Sequence, residues 1–318
     1  MGDDPNVGAR SLDPRSERLG SGRLGPLMVK LSIPGMIGMI ILSIHNLVDT
    51  LWVSALPDGT EAIAALTVLF PIQMVAGAIG MGIAVGLTSL VSRRLGEQRM
   101  REVHLGAGNA LLMAGAIGLV LTTVCRSWPG ATVRVFGAKP EILDRSIAYL
   151  QCIAVAFPFF MVRLSLDGLY RGMGNVITPM WLMGFSALLN AALDPLLIYG
   201  VGPFPRMGLR GAAIATATSQ ISATVISVLY LTLSRGGLRL AASDFAPRLR
   251  IIGDIAHVGA PAAGMNCLRS IIGSAFNWVL GGFGPAAIAA YGLSHRVTML
   301  AVSCLGGGVH QALMPIVG

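Results

Sequence analysis

Residues 62–92, AIAALTVLFPIQMVAGAIGMGIAVGLTSLVS, hold thirty-one consecutive positions without a charged side chain. A helix rising 1.5 Å per residue makes that run about 46 Å long, against a hydrocarbon thickness of about 30 Å. Together with its leading Glu61, the stretch reads as a membrane-crossing helix with length to tilt or to project beyond the bilayer. Seven stretches of the same kind lie on either side of it. They are Lys30–Leu56, Val103–Trp128, Ile142–Leu169, Asn175–Tyr199, Leu209–Leu233, Ile255–Leu280, and one that opens at Pro285 and is still apolar at Gly318. Strands of a transmembrane barrel would alternate in polarity over roughly ten residues. These runs are continuous and longer, so the expected fold is an all-α integral membrane protein, a polytopic helical bundle.

Composition points the same way. Charged residues make up 12% of the 318-residue chain and hydrophobic residues 54%, with a mean hydropathy of +0.71. A soluble domain carries roughly 25% charged residues. Forty-one glycines suit helices that pack through small residues, because lipid gives apolar helices no drive to associate. The four cysteines, Cys125, Cys152, Cys267 and Cys304, all fall in apolar stretches without metal-ligand or disulfide spacing. Residues 1–29 are polar and contain no apolar run, so a disordered tail is expected there rather than a cleavable signal.

The net charge of +8 is a matter of topology, with no nucleic-acid partner implied. Fifteen of the 23 Lys and Arg residues fall on one side of the expected spans. These are Arg10, Arg15, Arg18, Arg23 and Lys30 in and after the tail, Arg93, Arg94, Arg99 and Arg101, then Arg163 and Arg171, then Arg235, Arg239, Arg248 and Arg250. Five fall on the other side. The positive-inside rule then places the amino terminus in the cytoplasm.

The string Gly59-Thr60-Glu61-Ala62-Ile63-Ala64-Ala65-Leu66 returns 225 residues later as Gly284-Pro285-Ala286-Ala287-Ile288-Ala289-Ala290-Tyr291. At the same offset Met74 meets Met299 and Gly82 meets Gly307, while Pro34 and Pro261, which open spans one and seven, stand 227 residues apart, a two-residue difference absorbed in the intervening turn. Spans one and two thus recur as seven and eight, which implies a six-helix unit used twice in parallel orientation. Transporters are often built this way, with the binding site between the halves. The expected units are a cytoplasmic tail (1–29), an amino-terminal six-helix lobe (30–234), a cytoplasmic linker (235–254), and the first two helices of an incomplete second lobe (255–318). On this reading the chain is truncated after its eighth helix.

Several strings resemble the multidrug and toxic compound extrusion (MATE) family. They are Asn46-Leu47-Val48-Asp49-Thr50-Leu51-Trp52-Val53 in span one, and Tyr170-Arg171-Gly172-Met173-Gly174-Asn175 followed by Thr178-Pro179-Met180. Next come Leu189 to Gly200 (LNAALDPLLIYG) in span five, Gly208 to Thr216 (GLRGAAIAT), and Gln311 to Gly318 (QALMPIVG). The resemblance implies two six-helix lobes related by a pseudo-twofold axis. It also implies a monomeric secondary antiporter in a bacterial inner membrane, exporting cationic drugs or toxic metabolites against protons or sodium ions.

Ionisable groups inside a membrane are costly and usually functional or paired. Asp49 lies deep in span one, with His45 and Asn46 four and three residues earlier and so on the same face. Asp194 follows Asn190 by one turn, and Pro195 frees a backbone carbonyl beside it. The resemblance carries an ion- or proton-binding role onto Asp49, Asn190, Asp194 and Thr216, with sodium as one candidate occupant. His45, Asn46, Asp167 and Arg296 are candidate cavity-lining residues. Asp167 has a competing reading as the ion-pair partner of Arg163 or Arg171, each four residues away, and the pair is the expectation. Arg296 is expected to find its partners in helices beyond the eighth.

No nucleotide, zinc or nucleophile motif is present. Gly306-Gly307-Gly308 follows no strand, and the histidines show no ligand spacing, so neither a cofactor nor an enzyme activity is expected. Two other readings remain open on these residues. One is a flippase for lipid-linked saccharides, with Arg269 and Arg296 in its favour; the other is a fragment inactive without its second lobe.

Overall fold

A computed structural model describes residues 24–233, 238 and 240–298, and among them there are helices and no strand. The tail before residue 24, Arg235, Arg239, Cys304, Gly306 to Gly308, His310 and the 311–318 string lie outside the described residues. In chain order the helices are α1 (Leu24–Ser54), α2 (Gly59–Gly96), α3 (Met100–Ser127), α4 (Pro129–Val135), α5 (Pro140–Ile153), α6 (Phe157–Gly172), α7 (Ile177–Tyr199), α8 (Leu209–Leu233), α9 (Leu249–Leu280) and α10 (285–298).

Among the described residues, six segments are long and apolar enough to cross a bilayer: Met36–Ser54, Gly59–Gly96, Met100–Ser127, Pro140–Gly172, Ile177–Tyr199 and Leu209–Leu233. They coincide with the first six expected spans. The seventh stretch folds as the single 32-residue helix α9 but is not among those six. Arg250, Asp254, His257, Asn266 and Arg269 dilute its apolar character. It also starts at Leu249, so the last residues of the expected 235–254 linker are already helical.

The fourth span is two helices in line. Pro158 has no N–H to give the Ala154 carbonyl, and the backbone there tightens into a 3₁₀ turn, Ala154–Ala156. The Thr122 hydroxyl of α3 donates to that carbonyl at 2.7 Å. The same device recurs on α2, where Pro71 leaves the Thr67 carbonyl without its helical donor, and the Asn277 amide of α9 points at it from 3.4 Å. The Ser270 hydroxyl of α9 donates to the Pro71 carbonyl at 2.7 Å. Both prolines thus cost a helix one bond and give a neighbouring helix a docking point.

α2 is the hub: 61% of its most apolar window is buried inside the protein, against 19–50% in the other five spans. It packs most extensively on α9, then on α6 and α3, while α1 lies chiefly along α7, and α7 along α8. The α2–α9 crossing is backbone on backbone. A Cβ at Gly86 would stand 2.1 Å from the Ile255 carbonyl oxygen, and one at Gly259 would stand 2.3 Å from that of Gly82. Small residues four apart on α2 therefore set the approach distance.

Two contacts between α2 and α10 join positions related by the repeat. A Cβ at Gly292 would overlap the Thr67 hydroxyl, and the His295 ring meets Phe70 edge-on at 6.0 Å. Both pairs are separated by 225 residues, the offset read from the sequence. Like positions meeting across an interface is what a twofold-related pair of units produces.

At the other end of the molecule, a 3₁₀ turn (Ala242–Phe245) leading into α9 is clasped to α3 by one side chain. The Asn109 amide nitrogen donates to the carbonyls of Asp244 (3.3 Å) and Ala246 (3.2 Å), and its oxygen accepts from the Arg248 N–H at 2.7 Å. Arg94, Glu97, Arg99 and Glu102 form a partly exposed ion-pair network at the α2–α3 turn. The Arg94 guanidinium holds the Glu97 carboxyl below the usual carboxylate range.

Candidate functional site

The site is assembled from α1, α5, α7, α8 and α10. The end of α1 is tied to α7 by the Tyr199 hydroxyl, which donates to the Trp52 carbonyl at 2.6 Å, and by an edge-on contact of the two rings at 6.1 Å. That tie sets one face of α1, carrying His45 and Asp49, against the face of α7 carrying Asn190 and Asp194. The Thr50 hydroxyl turns back on its own helix, donating to the Asn46 carbonyl at 2.7 Å.

Asn190, Asp194 and Thr216 are all buried, at 1%, 0% and 7% exposure. Their hydrogen bonding is best satisfied with the Asn190 amide nitrogen facing the Asp194 carboxylate and His45 Nδ1, at 3.1 Å each, and its oxygen accepting from the Thr216 hydroxyl at 3.2 Å. That hydroxyl also lies 3.0 Å from the Ala212 carbonyl, one turn back on α8. Asp49 lies close enough to Asp194 for their charges to act on each other, and its buried Oδ1 has no hydrogen-bond partner. The structure thus brings together Asp49, Asn190, Asp194, Thr216 and His45. Asn46 sits half-buried on the same stretch of α1.

Asp167 is elsewhere. It is 2% exposed and makes a 2.8 Å ion pair with Arg163, and its charged neighbours are Arg163 and Arg171 rather than the other aspartates. The i, i+4 spacing on α6 closes the pair within one helix. Removing one partner of a buried pair leaves the other charge uncompensated, at about 3–5 kcal/mol. Arg163→Ala is therefore expected to lower stability by about 3 kcal/mol, read as a fall in the thermal unfolding midpoint of the solubilised protein. Arg163→Ala/Asp167→Ala should recover most of the loss.

One member of the site escapes the sequence reading, and a second, Arg296, is named there as cavity-lining but without its partners. Tyr149 of α5 is 1% exposed and lies within the electrostatic reach of Asp49, Asp194 and Arg296. No local spacing ties it to Asp49, a hundred residues earlier. Arg296 of α10, expected to find partners beyond the eighth helix, already lies within the electrostatic reach of Asp49 and Tyr149. Two carboxylates on different helices, one with an unpartnered oxygen, can share a proton or hold a single monovalent cation between them.

Comparison with known proteins gives this arrangement a family. The MatE pattern matches residues 34–196, just over half of the chain. Over 300 residues the chain is 28% identical to a protein of Shewanella oneidensis named FAD transporter, covering 93% of the chain and 65% of that protein. Over 270 residues it is 27% identical to the multidrug export protein MepA of Staphylococcus saprophyticus, covering 85% and 59%. The chain therefore spans about six-tenths of the length of these relatives. Among solved structures, the MATE multidrug transporter DinF-BH superposes with a TM-score of 0.88 at 32% identity, over 96% of this chain and 68% of that one. An outward-facing MATE family transporter of the MOP superfamily gives 0.83 at 28%, over 96% and 67%. With its helical membrane fold, its Asp-Asn-Asp-Thr cluster and these matches, the chain belongs to the MatE family, the multidrug and toxic compound extrusion transporters that its strings resemble.

Proposed function

We propose that the protein exports small organic cations by antiport with protons, from a bacterial inner membrane, with its amino terminus in the cytoplasm. The observation that carries the reading is the Asp49–Asp194 pair, a fully buried carboxylate and a half-buried one whose Oδ1 is sealed from solvent, with no ion pair of their own below 4 Å among the described residues. Such a pair attracts either a cationic substrate or a proton, and taking up one weakens its hold on the other. That exclusion is the basis of exchange. The names of its relatives favour drug export over the saccharide flippase.

Protons fit the cluster better than sodium. A sodium ion needs the amide oxygen of Asn190 turned toward the carboxylates, alongside the Thr216 hydroxyl. Here hydrogen bonding favours the amide nitrogen on that side, and His45 contributes a nitrogen where a hard cation prefers oxygen.

The test is efflux of a fluorescent organic cation from cells expressing the protein, under imposed gradients. Collapsing the proton gradient should stop efflux, and removing external sodium should leave it unchanged. Efflux that follows sodium instead overturns the coupling ion. One relative is named for FAD, whose diphosphate is anionic, so FAD movement is measured in the same cells. Movement of FAD without the cation would overturn the substrate class.

A further inference from the structure

Arg296 stands out among the charges of the molecule. It is carried by α10, which docks on α2 through Gly292 and His295, yet the charge nearest to it is that of Asp49 on α1. Its Nη1 is buried without a hydrogen-bond partner, as is Asp49 Oδ1. No ion pair shorter than 4 Å joins the two, although each charge acts on the other. The groups whose charges reach Arg296 are Asp49 from α1, Tyr149 from α5 and its own neighbour His295, while Asp194 and His45 stand one step further off, against Asp49 and Asn190. Apart from the two aspartates, none of these brings a negative charge at neutral pH.

A buried guanidinium cannot shed its proton, so it needs a counter-charge. The fully buried Asp194 and the unpartnered, buried Oδ1 of Asp49 need a counter-charge as well. The geometry points to Arg296 as a tethered cation of the Asp49–Asp194 site, a positioning residue that offsets the carboxylates' charge from α10 and competes with the cation the site takes up. Entry of a substrate cation then weakens the attraction between α10 and the amino-terminal helices, because the carboxylates are already compensated. The site's occupancy is in this way tied to how firmly the two sets of helices are held together. The inference rests on the assignment of Asp49 and Asp194 as the cation site.

The experiment is equilibrium binding of tetraphenylphosphonium to the solubilised chain. Arg296→Gln should tighten binding about tenfold, since the competing charge is gone, and Arg296→Lys should stay within about threefold of the unaltered protein. In an Asp49→Asn background the Arg296→Gln gain should vanish. Equal or weaker binding in Arg296→Gln, or a gain that persists without Asp49, overturns the tethered-cation role. If Asp49→Asn and Asp194→Asn both bind as the unaltered chain does, the site assignment itself falls, whatever Arg296 does. Where Arg296→Gln fails to fold, the charge-compensated double variant Asp49→Asn/Arg296→Gln should recover a monodisperse protein. A double variant no better folded than the single one also overturns the pairing.

Discussion

Asp194→Asn is expected to weaken tetraphenylphosphonium binding by thirtyfold or more while leaving the chain folded. The carboxylate is fully buried, so little solvent screens it. A unit charge pair at 4 Å is worth about 4 kcal/mol at an effective dielectric of 20, and half of that is about thirtyfold in affinity. The substitution keeps shape and one acceptor oxygen, so the Asn190 amide nitrogen still has a partner at the same place. Asp49→Asn should act in the same direction by a smaller factor, because Asp49 is the less buried of the two. Binding within twofold of the unaltered protein in both variants would remove the cluster as the cation site.

Gly86→Val is the second large effect, and it concerns assembly rather than chemistry. The Cβ it introduces falls 2.1 Å from a backbone oxygen of α9, which has no rotamer by which to move aside. Relief requires the two helices to separate along their whole crossing, where Ser270 and Asn277 also bond to α2. Overpacking of this kind typically costs about 1–3 kcal/mol, and more where backbone must shift. Hydrogen exchange across 249–280 should accelerate at least tenfold, with α1, α7 and α8 keeping their protection. Unchanged exchange in α9 would mean that the close approach of Gly86 and Ile255 is not what seats it.

Much of the fold was legible because the bilayer makes it so. Charge-free runs longer than the hydrocarbon thickness leave no choice of secondary structure, and the six spans from Met36 to Leu233 fall where hydropathy puts them. The seventh was legible as a helix, but its start was not. Nothing in the sequence before Leu249 announces that Asn109, about 140 residues upstream, will hold the preceding turn in place. The site was half legible for the same reason. His45 with Asp49, and Asn190 with Asp194, are pairs at helical spacing, readable from one helix each. Tyr149 and Arg296 join them only through packing between distant helices. Asp167 carried two readings because a carboxylate in a membrane helix reads alike whether it serves a ligand or an arginine one turn away, and the pair with Arg163 is the one formed.

The meeting of Thr67 with Gly292 has a consequence for how such a chain came to be. Two identical copies of one unit, paired about a twofold axis, would set this position against itself. Two threonines would collide there, since even a Cβ opposite Thr67 overlaps its hydroxyl, while two glycines would leave an empty notch. Joining both copies in one polypeptide releases that constraint, because each can drift to complement the other. A threonine filling the space left by a glycine, and a phenylalanine set against a histidine three residues on, are complementary rather than identical choices. At both positions the seam is therefore complementary rather than symmetric.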